Sequence, residues 1–146
     1  MTSSIQVNIE HVVAEVAAAF AAYEKALADN DTFLINALTW EGPRTVRYGL
    51  DETQYGSEEI RKSGSDRHRI STTILAKTTI VTTFGYEYAT VNTEFSSAQS
   101  DLRGRRTVVW ARVGPDSQPE AGLHGGWRIV ASHDSIISPR LVAWRA

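Results

Sequence analysis

The sequence predicts an α+β domain in which one strongly curved antiparallel β-sheet wraps a long N-terminal helix. Two observations support this fold class. Up to about Lys62 the apolar residues recur at helical spacing, whereas from Ser71 onward long runs are rich in Thr, Val, Ile and aromatic residues, as in strands. Three helical segments are therefore followed by four long strands, and such segregation is typical of the α+β class.

Length and composition are those of one ordinary globular domain covering residues 1–146. Hydrophobic residues make up 42% of the chain and charged residues 22%, and 146 residues suffice for one core. The net charge of -2 argues against nucleic acid as a partner. The chain has no cysteine, no apolar run near the roughly 20 residues of a membrane span, and no signal-like N-terminus. We therefore expect a cytoplasmic protein without disulfides or a membrane role.

Residues 8–29 are predicted to form the long helix. Their apolar residues alternate steps of four and three, and Asn8 is the expected N-cap; the stripe consists of Ile9, Val13, Val16, Phe20, Tyr23 and Leu27. The ring of Tyr23 should therefore face the core, where its hydroxyl needs a partner. Two interpretations stay open: a core tyrosine with a satisfied hydroxyl, or one whose hydroxyl reaches a pocket.

Two shorter helices are predicted between the long helix and the strands. Asn30 ends the first helix, and Asp31 caps a short second one. A third should start after Gly56, because Glu58 and Glu59 suit the positive end of a helix. The polar loop that follows carries three charges that are either solvated or rim a pocket mouth: Arg67, His68 and Arg69.

The run Thr45-Val46-Arg47-Tyr48-Gly49 is predicted to be a strand with a charged residue at its centre. Side chains alternate along a strand, so Arg47 shares a face with Thr45, and Tyr48 shares the other with Val46. Arg47 is either a solvated arginine of an edge strand or a cation aimed into a cavity. In the second case it would bind a carboxylate at the floor of a pocket.

The four long strands are predicted over residues 72–84, 86–97, 105–113 and 127–138, joined by turns rich in Gly and Ser. The 114–126 segment, with two prolines and several glycines, is the expected mobile insertion. In the last strand, strict alternation places His133 with Trp127 and Ile129, and Asp134 on the opposite face with Arg128.

Motif searches are mostly negative. The chain has no phosphate-binding glycine loop, no GxSxG elbow and no HExxH, and its four histidines are scattered. We therefore predict no metal and no cofactor. The spacing of the acidic residues reveals no carboxylate pair that could divide acid and base work.

Several phrases resemble the nuclear transport factor 2-like, SnoaL-like superfamily, whose fold is a cone formed by a curved sheet around the first helix. The nearest resemblance is to a small bacterial family linked to oxalurate and cyanuric acid catabolism. The phrases cover nearly the whole chain: AAYEKAL (21–27), Asn30-Asp31, LTW ending at Trp40, TVRYG (45–49), TFGYEYAT (83–90), GRRTVVWAR (104–112) and GWRIVASHDS (126–135).

The resemblance implies a decarboxylating amidohydrolase that acts on a carboxylated urea such as 1,3-dicarboxyurea. It implies Tyr23 and Arg47 as catalytic residues, and we assign Trp40, Tyr48 and Arg67 to substrate binding. An arginine fork suits a carboxylate, and a tyrosine is a donor at neutral pH. Some residues differ from those usual in the family and leave the substrate open: Ser63 and Gly64 in place of Phe-Arg, Glu87 in place of Asp, Val108 in place of Gln, Ser132 in place of Ala, and Asp134 in place of Val.

Two other functions stay open. The chain could be a non-catalytic dimer that binds a small anion or accompanies an amidase, since no general base is evident, or an isomerase or dehydratase by analogy of fold. We also expect a homodimer through the open face of the sheet, because Trp110 or Trp127 would otherwise be exposed.

Overall fold

The computed structural model describes residues 4–63, 74–97, 102–119 and 122–137, and it confirms the predicted fold class. The helices are α1 (Glu10–Asp29), α2 (Thr32–Leu38) and α3 (Ser57–Lys62), with a short 3₁₀ helix at Leu123–Gly126. The strands are β1 (Val46–Tyr48), β2 (Thr53–Tyr55), β3 (Ile74–Phe84), β4 (Tyr88–Ser97), β5 (Arg103–Arg112) and β6 (Trp127–Ile136).

The six strands form one curved sheet in the order β2-β1-β6-β5-β4-β3. Neighbouring strands are antiparallel except β1 and β6, which run parallel. The first and last parts of the strand region therefore meet, because β6 returns beside the short β1 strand. This pairing places the RYG segment next to the C-terminal strand.

Helix α1 begins and ends differently from the simplest expectation. Asn8 is not its N-cap: the helix starts after Ile9, without a side-chain cap. Asn8 instead has a φ of 58°, and its Oδ1 accepts a hydrogen bond of 2.9 Å from the Thr83 amide, which ties the entry of the helix to β3. At the other end Asn30 adopts a left-handed conformation, and Asp31 caps α2 by accepting from the Leu34 amide, as predicted.

The core lies between α1 and the inner face of the sheet. Trp110 and Trp127 are fully buried there, so the predicted exposure of these two rings, on which the dimer expectation rested, is wrong. The reason is that α1 lies across both of them. The buried apolar residues include Val12, Val16, Ala19, Phe20, Ala26, Val91, Val108 and Ile129.

A β-bulge interrupts the alternation of β6. Val109 pairs with Ala131 and Trp110 pairs with Ile129, so Val130 is an extra residue. An extra residue exchanges the faces of all residues that follow. The predicted faces of His133 and Asp134 are therefore wrong: His133 is exposed on the outer face, and the Asp134 side chain points to the inner face.

The segment predicted as a mobile insertion is anchored at its base. The amides of Val113 and Gly114 both donate to the Gly126 carbonyl, at 3.1 and 2.9 Å. Arg128 Nη1 donates to the Leu123 carbonyl at 2.9 Å. These bonds join the two ends of the loop beside the start of β6.

No helix among the described residues is long and apolar enough to cross a membrane.

Candidate active site

A small cavity lies between helices α1, α2 and α3 and strands β1 and β6. Its polar lining includes Tyr23 from α1, Arg47 from β1 and Ser132 from β6, and its volume is about 10 Å³, the size that one water molecule requires. The structure thus brings Tyr23 and Arg47, which are far apart in the sequence, to one enclosed space. The other lining residues are Ile35, Thr39, Thr45, Val46, Ile60 and Ile129.

Tyr23 is held in place by the aromatic core. Its ring meets Trp110 edge to face, with centroids 6.3 Å apart and planes at 90°, and the residue is only 4% exposed. The helical spacing that puts Tyr23 on the apolar stripe of α1 also directs its side chain toward the sheet. Tyr23 therefore packs in the core and also lines the cavity, and the role of its hydroxyl stays a prediction.

The Arg47 side chain is oriented by residues of β2 and of the turn before it. Its Nη1 donates to Glu52 Oε2 at 2.7 Å and to Gln54 Oε1 at 3.2 Å. Gln54 Nε2 donates to the same Glu52 oxygen at 3.0 Å and also to the Ser63 hydroxyl at the end of α3. The side chain is 11% exposed, so the solvated-strand interpretation does not describe it.

The rest of the Arg47 guanidinium is not committed to these bonds. To other described residues, the Nε and Nη2 atoms of Arg47 donate no hydrogen bond. The absence of a side chain at Gly49 makes room for the group, since a Cβ there would lie 3.0 Å from Nη1. One edge of the fork is thus fixed by Glu52, while the other can bind a carboxylate through two parallel hydrogen bonds.

Two of the residues assigned to substrate binding, Tyr48 and Trp40, do not line this cavity. Tyr48 lies on the outer face, as alternation along β1 requires, where its hydroxyl is 3.2 Å from that of Tyr55 and its ring packs edge-on against His133. Trp40 is half-buried, its amide donates to the Ile129 carbonyl at 2.9 Å, and its ring packs on Gly42. Arg67 lies outside the described residues.

Sequence reasoning missed several residues around the site. Ser132 faces the cavity only because of the bulge at Val130, which no pattern in the sequence marks. Glu52 and Gln54 were missed because β2 has only three residues and gives no periodic signal. The one clue in the sequence was the Gly49–Glu52 segment, which leads into β2. In the structure this segment forms a turn, closed by a hydrogen bond of 2.9 Å from the Gly49 amide to the Glu52 carbonyl.

A buried ionic cluster lies beside Tyr23 on the inner face of the sheet. Arg106 of β5 binds Asp134 through both carboxylate oxygens, at 2.8 and 3.3 Å, and its Nη1 is 3.9 Å from Glu24. The guanidinium also lies over the Phe95 ring, 5.0 Å from its centroid. Asp134 thus compensates the buried charge of Arg106. Strict alternation along β6, without the bulge, would have placed the Asp134 side chain on the opposite face.

Charges in this cluster act in different directions. Burial disfavours the charged form of Arg106, but the carboxylate of Asp134, with smaller effects of Tyr23 and Glu24, outweighs burial and raises the pKa of Arg106. Burial also raises the pKa of Glu24, and the charge of Arg106 offsets this only in part. The protonated form of Glu24 is therefore favoured more than it is for a glutamate in solution, because its pKa is raised.

A larger open groove of about 540 Å³ lies beside α3, but its chemistry does not suit an anionic ligand. Three glutamates line it, and its one arginine, Arg61, is 3.4 Å from Glu41; the glutamates are Glu41, Glu58 and Glu59. In the described part of the chain, no group of three metal-ligating side chains could hold a metal ion. The small cavity is therefore the better candidate site.

Comparison with known proteins gives a family and a fold. The sequence model of the AtzH-like family matches residues 5–140. A cystatin-like fold protein from Burkholderia xenovorans is 43% identical, with a TM-score of 0.81 over 92% of this chain and 98% of that one. A protein of unknown function from Pectobacterium atrosepticum is 39% identical, with a TM-score of 0.79 over 90% and 95% of the two chains.

A nuclear transport factor 2-like superfamily protein from Salmonella enterica has a TM-score of 0.64 at 18% identity, covering 88% of this chain and 92% of that one. At this identity the likeness concerns the fold alone. It agrees with the cone of curved sheet and long helix. No curated protein matches the sequence.

Proposed function

The chain belongs to the AtzH-like family, and from this premise we propose that it is a cytoplasmic, cofactor-free enzyme that removes a carboxylate from a small carboxylated urea or amide. The link to oxalurate and cyanuric acid catabolism is part of this proposal, as is a substrate of the 1,3-dicarboxyurea type. The observation that carries the proposal is the cavity shared by Tyr23 and Arg47.

In this proposal the two residues have separate tasks. Arg47 holds a substrate carboxylate through the edge of its fork that Glu52 does not occupy. Tyr23 donates a proton to the reacting carbonyl group or to its nitrogen. Because the cavity is largely surrounded by protein, both hydrogen bonds act in a medium of lower dielectric constant than water, where they are stronger than in solution.

The bond changes of the proposed reaction balance without a general base that activates water. When a carboxylate is lost as carbon dioxide, the bond between nitrogen and the carboxylate carbon breaks, and its two electrons remain on nitrogen. Nitrogen takes the proton of the Tyr23 hydroxyl, and solvent returns a proton to the tyrosine. The released carbon dioxide takes up water afterwards, so that the net reaction is hydrolysis of a carbon–nitrogen bond.

Substitution of Arg47 tests the carboxylate contact. Charged hydrogen bonds contribute roughly 1.5 to 3 kcal/mol, so Arg47→Ala should weaken binding by about ten-fold to over a hundred-fold. Arg47→Lys keeps the charge but loses the fork and should retain part of the affinity. Calorimetric titration measures this, with Arg44→Ala, an exposed arginine just before β1, as the control. A lysine variant that binds as well as wild type would refute the proposed contact.

Removal of one hydroxyl tests the proton donor. Tyr23→Phe keeps the ring against Trp110 and should reduce turnover of a carboxylated urea by about 10² to 10⁴, with little change in substrate binding. Steady-state kinetics of the purified chain measure kcat and KM separately. Tyr86→Phe, at an exposed position in the turn between β3 and β4, is the matched control. Unchanged kcat in Tyr23→Phe would exclude the donor role.

One observation favours the alternative function, a non-catalytic dimer that binds a small anion. None of the described residues that line the cavity is a carboxylic acid or a histidine. The turnover assay separates the two functions: an anion binder would show affinity that depends on Arg47 and no product. The predicted association with an amidase would accompany this second function.

We also propose that the chain forms a homodimer through the outer face of the sheet. In place of the two tryptophans, this face exposes apolar side chains on adjacent strands, namely Ile80 and Phe84 of β3 and Tyr88 of β4. Such neighbouring groups favour a partner surface. Light scattering at low micromolar concentration should give twice the mass of 16.1 kDa, and a monomer mass would contradict the proposal.

A further inference from the structure

Ser132 occupies a special place relative to Arg47. In the parallel pairing of β1 and β6, the two residues are direct neighbours in register. Both side chains line the cavity, and Ser132 is 9% exposed. Ser132 and Arg47 thus line one cavity from neighbouring strands, so that a carboxylate ligand in this cavity lies next to both residues.

The two threonine hydroxyl groups of the cavity wall are committed to the backbone. Thr39 Oγ1 donates to the Ile35 carbonyl at 2.7 Å, and Thr45 Oγ1 donates to the Trp40 carbonyl at 2.8 Å. No such side-chain bond engages the Ser132 hydroxyl in the part of the chain that the structure describes. A hydroxyl both donates and accepts, so it can pair with either an N–H or a carbonyl group of a ligand.

We propose that Ser132 is a specificity-determining residue, whose hydroxyl hydrogen-bonds the amide or urea group attached to the carboxylate that Arg47 holds. The inference rests on the proposed carboxylate site and adds to it the recognition of the neighbouring group. A ligand with a methylene there leaves the hydroxyl unpaired in a nearly closed space, which penalises that ligand. The site thus distinguishes carboxylated amides from aliphatic carboxylates.

The test uses two probes of similar size with the full chain. Oxamate carries an amide next to its carboxylate, and propionate carries only an ethyl group. Wild type should prefer oxamate, and Ser132→Ala should lose about five-fold to ten-fold in affinity for oxamate, the amount expected for one hydrogen bond. Its affinity for propionate should change less than about two-fold.

Two further variants test whether the effect of Ser132→Ala comes from the lost side-chain volume or from any substitution in β6. Ser132→Cys keeps a similar volume but supplies only a weak donor, so its preference for oxamate should fall nearly as far as that of the alanine variant. Ser135→Ala removes a hydroxyl from the opposite face of β6, where its neighbour Arg105 is exposed, and should leave both affinities unchanged.

The outcomes separate this inference from the proposed function. If Ser132→Ala weakens both probes equally, or neither, Ser132 does not determine specificity, while dependence of both affinities on Arg47 would still support the carboxylate site. If neither probe binds wild type, or if binding does not depend on Arg47, the carboxylate site and the role of Ser132 are both overturned.

Discussion

Each half of β5 has a buried arginine that faces a glutamate of α1, but the two arginine–glutamate pairs differ in how closely they are bonded. Arg106 and Arg112 are both buried on the inner face of the strand, and each faces a glutamate of α1. Arg112 contacts Glu15 closely, whereas Arg106 lies 3.9 Å from Glu24 and gives its two shorter bonds to Asp134. One arginine–glutamate pair thus stabilises the fold, whereas in the other pair the arginine compensates the charge of the glutamate only in part.

At the Arg112 end several hydrogen bonds support the ion pair. Arg112 also donates to the Tyr86 carbonyl at 3.0 Å and to the Gly125 carbonyl at 2.9 Å, and Trp127 Nε1 donates to Glu15 at 3.1 Å. Burial alone would raise the pKa of Glu15, but the hydrogen bonds from Arg112 and Trp127 and the charge of Arg112 together lower it. This cluster fastens α1, β5 and the loop before β6 to one another.

At the Arg106 end the carboxylates outnumber the cation. Asp134 takes both strong bonds, and burial raises the pKa of Glu24 because Arg106 is too distant to reverse it. Tyr23 stands next to this uneven cluster. The end of the sheet that holds the candidate site is thus the end at which charge compensation is incomplete, as is common where function rather than stability sets the residues.

The largest effect should follow removal of the cation at the closed end. Arg112→Met leaves Glu15 and two carbonyl groups without their buried donor, and we expect a loss of about 3 to 5 kcal/mol in the free energy of unfolding. Urea denaturation measures it, with Arg105→Met on the exposed face of the same strand as control. Similar stabilities of the two variants would show that the Arg112 cluster does not fasten the fold.

A smaller loss should follow removal of its carboxylate. Because the pKa of Glu15 is lowered in the folded state, its contribution to stability is present above the ordinary glutamate pKa and is lost as the pH falls through the folded value. Glu15→Gln should therefore cost about 1 to 2 kcal/mol at pH 7, a charged hydrogen bond reduced for partial exposure. Thermal melts from pH 7 downward should show the gap to wild type closing, and a constant gap would contradict the assignment.

The smallest effect, of opposite sign, is expected at the other end. Because the pKa of Glu24 is raised, its contribution to stability is full below the ordinary glutamate pKa and is lost as the pH rises through the folded value. Glu24→Gln should therefore melt at the wild-type temperature or up to about two degrees above it at pH 7, and match wild type under acidic conditions. A loss as large as that of Glu15→Gln would remove the difference between the two ends.

The elements with a strong periodic signal were predictable from the sequence. Helix α1 and strands β3 to β6 lie within a few residues of their predicted ranges, because each has a long apolar or β-branched pattern. The position of Tyr23 and Arg47 at one cavity was predictable from the family resemblance and from the faces of α1 and β1 on which these residues lie. Neither β2 nor the orientation of Asn8 was predictable, since a three-residue strand and a single left-handed residue have no period.

The bulge at Val130 makes the chemistry of this protein depend on the pairing register of one strand. If β6 kept its length but paired with β5 without the bulge, Ser132 and Asp134 would turn outward and His133 would turn toward the inner face. Deletion of Val130 would instead give a regular strand in which Ser132 and Asp134 keep their inner positions, because Ile129 and Ala131 already pair with the consecutive residues Trp110 and Val109. A slip of one residue in register, without any substitution, would thus exchange the polar groups that this strand presents to the cavity.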